Sequence, residues 1–431
     1  MTNAKTVELK IDRQSLIKSI ITLFTGSAGA QVMVTIALLL TARMLGPAQY
    51  GQYAGSMLLA MFLSILFNLG MDIWLLREGG IQPNNISTVA GSVLSIKFLF
   101  GFIWLGFMII LAPIIQTNAM PANLIRLAAL AAWLSSLFTT CLTAFKAVLK
   151  NKVSAFLEAG AGAGRLILTI LLVMLGIDRA STYILVIVIV SAIGIPIALW
   201  LLWISFGLQA KRQMMVFALK SSPPYAASDF LVWAFMRMDA LIVAFFLGAT
   251  ATGVYSLGEG ILNIAFLVPA AIQVVIIPVL SLLFVSDTSQ FWKTARRTTV
   301  LLLIIGVVLT AGLFVGSNVV VLLIGSAYTK TVEVIKILSP IALLHSINFA
   351  TVAIIVATGE QLKRTIVQAI AVVFNLVMNL LLIQITGING TAWIYVLTEL
   401  LLFLGYGFVV VRYRRMTIRR DALSTTHIIS E

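Results

Sequence analysis

Leu45-Gly46-Pro47-Ala48-Gln49-Tyr50-Gly51-Gln52-Tyr53 returns 202 residues later as Leu247-Gly248-Ala249-Thr250-Ala251-Thr252-Gly253-Val254-Tyr255. Both follow the pattern LG-x4-G-x-Y, and each joins two long apolar stretches. A second echo, Gly176-Ile177-Asp178 against Gly387-Ile388-Asn389, recurs at an offset of 211. Two echoes in order, at matching places in the apolar pattern, predict two homologous halves. The glycines permit a tight turn between helices, and the tyrosines are expected in the headgroup belt. Substrate contact is not expected of the motif itself.

Working outward, apolar stretches fall at 16–43, 51–76, 88–115, 123–148, 153–176 and 181–206, then at 225–248, 253–284, 298–324, 332–357, 365–386 and 390–411. Each is long enough to cross a hydrocarbon core of about 30 Å as a helix. Six spans is an even number, so both halves enter from the same side, related by an axis along the membrane normal. The expected fold is therefore an all-α polytopic membrane protein with twelve transmembrane helices in two six-helix lobes. The N-terminal lobe covers residues 1–210, the C-terminal lobe 211–411, and a basic tail 412–431. Residues 207–224 read as the connection between the lobes. The first span is too long for a signal sequence and is followed by eleven more.

Composition agrees. Of 431 residues 61% are hydrophobic and only 10% charged, against about 25% charged in a soluble domain. The net charge of +14 would point to nucleic acid on a soluble protein. Here 21 of the 29 basic residues fall in alternate loops and the termini, including Arg412, Arg414, Arg415, Arg419 and Arg420. Five fall on the other side and three within spans. The positive-inside tendency then places both termini in the cytoplasm, with the tail near anionic headgroups and no role for nucleic acid. The single cysteine, Cys141, excludes an internal disulfide, and His345 and His427 have no metal-ligand spacing. There is no Walker A loop, no HExxH and no filter like TVGYG, so neither ATP hydrolysis nor zinc proteolysis nor potassium conduction is expected.

Ionisable groups within spans are costly and usually face a cavity or a partner. Lys97, Arg165 and Arg237 are the deep cations. Each is read as a substrate-cavity cation or as half of a structural ion pair. Arg237 and Asp239, two residues apart, cannot share a helix face, so at least one looks to another helix. Asp229 and Arg237 are eight apart and can line one face. Asp239, Glu259 and Glu399 are candidate partners of these bases or coupling-ion ligands. Asp72 and Glu158 lie nearer span ends, where water is close. The run Ala159-Gly160-Ala161-Gly162-Ala163-Gly164 predicts close helix packing. Asn375 and Asn379, four apart, are read as helix bridges. Pro196, Pro269, Pro278 and Pro340 can kink spans.

Arg43-Met44-Leu45-Gly46-Pro47-Ala48-Gln49-Tyr50-Gly51-Gln52-Tyr53, with Asn68-Leu69-Gly70-Met71-Asp72 and Leu76-Arg77-Glu78, resembles the opening of the Wzx-type polysaccharide flippases. Arg237-Met238-Asp239, Gly253-Val254-Tyr255-Ser256, Ile324-Gly325-Ser326-Ala327-Tyr328, Asn375-Leu376-Val377-Met378-Asn379-Leu380 and Gly387-Ile388-Asn389-Gly390 are similar to that family's later motifs. The likeness runs over about residues 15–410. It implies membership of the multidrug/oligosaccharidyl-lipid/polysaccharide exporter superfamily, with two lobes around a central cavity and alternating access. Twelve spans argue against the lipid II flippases of that superfamily, which typically carry fourteen.

The resemblance also implies a substrate. A polyprenyl-pyrophosphate-linked oligosaccharide would pass from the cytoplasmic to the outer leaflet of a bacterial inner membrane, for O-antigen or exopolysaccharide synthesis, with no bond broken. Lys97, Arg165, Arg237 and Arg43 are the expected substrate-binding cations. Asp239, Glu259, Glu399 and Asp229 are the expected coupling or cavity acids. No cofactor is expected beyond a Na+ or H+ gradient. Membrane lipids and polysaccharide polymerase machinery are the expected partners. The alternative is a cation-coupled, MATE-like exporter of small organic molecules.

Overall fold

A computed structural model describes the backbone over residues 13–429 and side chains over 26–415 except Ser228. The expected anchoring role of Arg419 and Arg420 lies outside the described side chains. Among the described residues there is no strand, only an isolated two-residue bridge between Thr117 and Met120. The first half is built from α1 (Arg13–Asn68), α2 (Met71–Ile81), α3 (Ile86–Ile115), α4 (Ala122–Ala147), α5 (Asn151–Met174) and α6 (Ala180–Phe206). Then come α7 (Arg212–Ser221), α8 (Pro223–Phe246), α9 (Gly248–Ala265), α10 (Leu267–Ser286) and α11 (Thr288–Gly316). The chain ends with α12 (Val319–Ile324), α13 (Thr329–Leu338), α14 (Pro340–Ala357) and α15 (Gln361–Ile429).

Nine helices among the described residues are long and apolar enough to cross a membrane by length and composition. The sequence predicts twelve spans. The difference has physical causes. α1 runs continuously through Gly46, where φ is 66° and ψ 171°, and α15 runs through Gly387 at φ 63°. Each glycine breaks the helix within one element, at the places where the apolar pattern separates two spans. α8 carries Asp229, Arg237 and Asp239 within 24 residues, and α9 is short and rich in glycine and threonine.

Other boundaries move for local reasons. The stretch 51–76 is interrupted by Leu69 (φ 49°) and Gly70 (φ 65°), so α2 is separate. The stretch 253–284 breaks at Phe266, three residues before Pro269, and 332–357 breaks before Pro340. Both prolines lack the donor an unbroken helix needs. Pro196 and Pro278 instead lie within α6 and α10. The expected 207–224 connection contains α7.

Packing follows small residues. α1 packs most extensively on α5 and α9. A Cβ on Gly162 would lie 3.0 Å from the Ala30 carbonyl, and one on Gly26 would strike Ala155. Gly162 is thus the part of the small-residue run that lets α5 meet α1, while Gly160 faces open space. One apolar cluster joins Ala42 and Leu45 of α1 to Val320, Ile324 and Tyr328. The Tyr328 hydroxyl donates to the Ala42 carbonyl at 2.8 Å. Large apolar side chains such as Ile114, Leu322 and Ile385 stand outside, where a bilayer would cover them.

Candidate functional site

The two LG-x4-G-x-Y motifs meet face to face. A Cβ on Gly51 would strike the Ala249 carbonyl, and one on Gly253 the Pro47 carbonyl. The first glycine of each motif adopts positive φ, 66° at Gly46 and 81° at Gly248. The second lets two backbones touch. The repeat is therefore a seam as well as a pair of turns.

Below that seam lies a cavity of about 190 Å³ whose walls come from α1, α8 and α9. Its lining follows helical periodicity. Tyr50, Tyr53, Ala54 and Met57 form one face of α1 beyond Gly46, and Gln31, Thr35 and Leu38 form a face before it. Ser256, Glu259, Gly260 and Asn263 form the facing stripe of α9. Trp233 and Arg237 enter from α8.

Arg237 donates to Glu259 at 3.2 Å; its side chain is 36% exposed and that of Glu259 only 3%. The acid is buried and the guanidinium leans into the void. Arg165 on α5 donates to the Tyr53 hydroxyl at 2.6 Å, so it stands directly behind the cavity wall. Ser256 Oγ and Asn263 Nδ2 have no partner among the described residues. The chamber thus offers one lining cation, Arg237, one carboxylate and two unsatisfied polar groups, with a second cation, Arg165, held behind its wall by Tyr53. Such an arrangement can hold an anion or a polyhydroxylated group.

The other sequence-predicted residues lie elsewhere. Lys97 is buried and bonds Asp72 at 2.7 Å and Ser136 at 3.0 Å. Thr140 donates to the second Asp72 oxygen and Ser136 to Asn68, closing that network within the first half. Asp239 accepts from Tyr255 at 3.3 Å and from Asn379 at 3.4 Å. Asn379 reaches Asn375 and Asn375 reaches Thr398, both at 3.1 Å, so the asparagines bridge α15 internally and to α8. Glu399 shares a 2.6 Å hydrogen bond with His345 and accepts from Asn348 at 2.8 Å. Asp229 is half-buried and Arg43 exposed; neither lines the cavity. Glu158 pairs with Lys146 at 2.6 Å and accepts from Ser27.

One expectation is corrected. The motif tyrosines are not in a headgroup belt. Tyr53 and Tyr255 are buried, each holding a charged group, and Tyr50 and Tyr53 line the cavity. A phenol in an apolar interior needs a partner, and the ionised side chains supply it. The sequence assigns no site role to Gln31, Trp233, Ser256, Asn263 or His345. The i, i+3, i+4, i+7 spacing of Ser256, Glu259, Gly260 and Asn263 was the signal for α9. Nothing in the sequence links His345 to Glu399, 54 positions on.

The fold, all-α and multi-pass, is the one seen in solved MATE transporter structures. An inward-facing MATE family multidrug resistance transporter of the MOP superfamily aligns at a TM-score of 0.66 and 13% identity, covering 92% of this chain and 95% of that one. The outward-facing conformation of a MATE family transporter aligns at 0.64 and 11%, covering 93% and 96%. A MOP superfamily transporter from Pyrococcus furiosus, described as having a binding pocket of reverse polarity that suggests a different function, aligns at 0.63 and 14%, covering 92% and 95%. No curated protein matches the chain. Residues 40–333 match the polysaccharide biosynthesis protein family. The chain belongs to that family.

Proposed function

We propose that the chain is an alternating-access flippase for a lipid-linked, anionic oligosaccharide. On this reading it crosses the membrane twelve times as two lobes, residues 1–210 and 211–411, with both termini cytoplasmic. The family match and the 21 basic residues in alternate loops support this. The observation that carries the reading is the paired approach of Arg165 and Arg237 to one cavity shared by elements of both halves, against a single carboxylate, Glu259. Guanidinium groups suit a pyrophosphate because they can bind it bidentately.

A chamber of about 190 Å³ holds roughly six waters at ~30 Å³ each. That is too little for a glycan headgroup. The substrate therefore enters when α1 and α9 part, and the prenyl tail stays in lipid. Lys97, bound to Asp72, and Arg43, outside the cavity, are left to structural duty on this reading.

The test is reconstitution with one labelled polyprenyl-pyrophosphate-linked glycan. Arg165→Ala and Arg237→Ala are each expected to slow flipping by about 10- to 100-fold, the worth of a charge-assisted hydrogen bond. Unchanged flipping in both defeats the cation-site reading.

The second reading is cation-coupled export of small organic molecules, and the structural likenesses to multidrug transporters stand nearer to it. A Na+ or H+ gradient would then act through Asp239, Glu259 or Glu399. The exposure of Arg237 toward this cavity, with Arg165 behind its wall, runs against it, and a reverse-polarity pocket is already described for the Pyrococcus furiosus relative. Transport that survives Arg237→Ala and is abolished by Asp239→Asn decides for the exporter.

A further inference from the structure

A larger void lies away from the central chamber. It is a groove of about 720 Å³ between α3, α4 and α6, roofed by residues 208–210 of the connection to α7. Its walls are apolar, with Leu94, Phe98 and Leu99 facing Trp133, Ile195 and Leu199. The Trp133 indole N–H is already spent on the Lys97 carbonyl at 3.1 Å, so only the ring faces the groove. An apolar void of this size within a membrane protein is filled by hydrocarbon, since water gains no partners there.

The roof is held down by backbone. Gln209 donates to the Ser87 carbonyl at 3.3 Å, and the Lys211 amide to Ser92 Oγ at 3.2 Å. Gly91 leaves no room for a Cβ beneath Gln209. From Gly91 to Leu99 the groove runs about 12 Å along α3 at 1.5 Å per residue. That is most of a leaflet's hydrocarbon depth, about 15 Å.

At the mouth the chemistry changes. A second pocket, of about 560 Å³, begins one turn earlier on α3 at Thr88 and one residue later on the connection at Lys211. Lys220 closes its other side, and no acid lines it. Neither lysine meets a carboxylate among the described residues. α7 carries exposed Val216 and Phe217 beside these lysines, and Phe217 also packs edge-on to Trp74 at 5.8 Å. A short helix with apolar and basic groups together lies in a headgroup layer.

We infer that these two pockets form one site for an anionic phospholipid, its acyl chain in the α3–α4–α6 groove and its phosphate between Lys211 and Lys220. Such a lipid would seat α7, the only covalent passage from α6 to α8, against the first half. The site is separate from the chamber at Arg237 and does not depend on what that chamber carries.

The test uses the full chain in mixed micelles, with dioleoyl phosphatidylglycerol and dioleoyl phosphatidylcholine competing at equal concentration and bound lipid counted by native mass spectrometry. Two lysines predict a preference for phosphatidylglycerol of about tenfold or more. Lys211→Ala with Lys220→Ala should bring it to parity with phosphatidylcholine. Ala192→Trp, which fills the groove, should reduce both lipids alike. Equal retention of the two lipids by the wild type overturns the proposal, whether or not the variants fold. So does a preference that survives the lysine substitutions in protein with wild-type melting. A polyprenyl phosphate that displaces phosphatidylglycerol from the wild type and is lost in the same variants assigns the site to the carrier lipid instead.

Discussion

Arg237 and Glu259 are unequal partners. The acid is almost wholly enclosed and the cation only in part. Removing the cation strands a carboxylate in an apolar interior, whereas removing the acid leaves a guanidinium that still reaches the chamber. Arg237→Ala should therefore destabilise the protein more than Glu259→Ala. Losing one partner of a buried pair costs about 3–5 kcal/mol, and the partial exposure of Arg237 places these two variants toward the lower end. The double substitution should cost less than the sum, with a coupling of about 1–3 kcal/mol. Thermal melting of the four proteins in one detergent checks this, and strict additivity would show that the pair carries no energy. Arg165 offers a cleaner separation of charge from geometry. Tyr53→Phe keeps the aromatic wall and removes the 2.6 Å bond, so the guanidinium loses its orientation but not its charge. Flipping should fall by about tenfold, with little change in melting; an unaltered rate would show that Tyr53 does not position Arg165.

The elements were legible in the sequence to the extent that local chemistry makes them. The LG-x4-G-x-Y echo placed the breaks at Gly46 and Gly248, because positive φ is written into glycine itself. It did not disclose that the second glycine of each motif, Gly51 and Gly253, serves a crossing with the other copy. That contact joins residues two hundred positions apart. The break at Gly70 was missed because no proline marks it, while those at Phe266 and Ser339 follow from Pro269 and Pro340. At the site, the inequivalence of Arg237 and Asp239 was readable from helix geometry, and the structure gives them different partners. That Lys97 is satisfied by Asp72 was not readable, because α3 must first be laid beside α2. These two kinds of glycine predict different phenotypes. Gly46→Ala forces a side chain into backbone space nearly exclusive to glycine, costing about 1–3 kcal/mol without altering the seam. Gly51→Val instead drives a branched side chain into the Ala249 carbonyl and should hold the two motifs apart. Spin labels at positions 48 and 250 would report a longer distance for Gly51→Val and an unchanged one for Gly46→Ala. The same distance in both variants would show that the two glycines have one role.

On the scale of the whole molecule, the apolar surplus becomes a lipid-facing exterior, and three groups stand out among the charges that oppose it. One group locks the first half around Lys97 and Asp72. Another locks the second around Asp239, Asn379 and Glu399. The third, Arg237 with Glu259 and Arg165, stands where the halves meet, and two of its members, Arg237 and Glu259, line the central chamber. On the proposed alternating-access reading, this division suits two bodies that each move as a unit and exchange contacts only along their seam. The seam is close-packed at the Gly51–Gly253 crossing. It is close-packed again toward the other end of α1, where Phe62 lies 4.9 Å from Trp233 and Gly70 has no room for a Cβ beside Tyr225. On the flippase reading proposed above, a headgroup reaches the small chamber between only if one of these contacts opens. A Cβ at Gly260 would lie 3.5 Å from Leu38 Cδ2, across the chamber wall from α9 to α1. Leu38→Cys with Gly260→Cys, joined through disulfides by a short bis-methanethiosulfonate linker, should hold α1 to α9. Cys141, the one native thiol, is buried elsewhere and does not compete. Transport of the labelled lipid-linked glycan should stop on crosslinking and return when a reductant cleaves the linker. Either single cysteine, treated alike, should retain the starting rate. A crosslinked protein that works at full speed would mean that substrate never passes between α1 and α9, and the route would have to be sought on another face of the bundle.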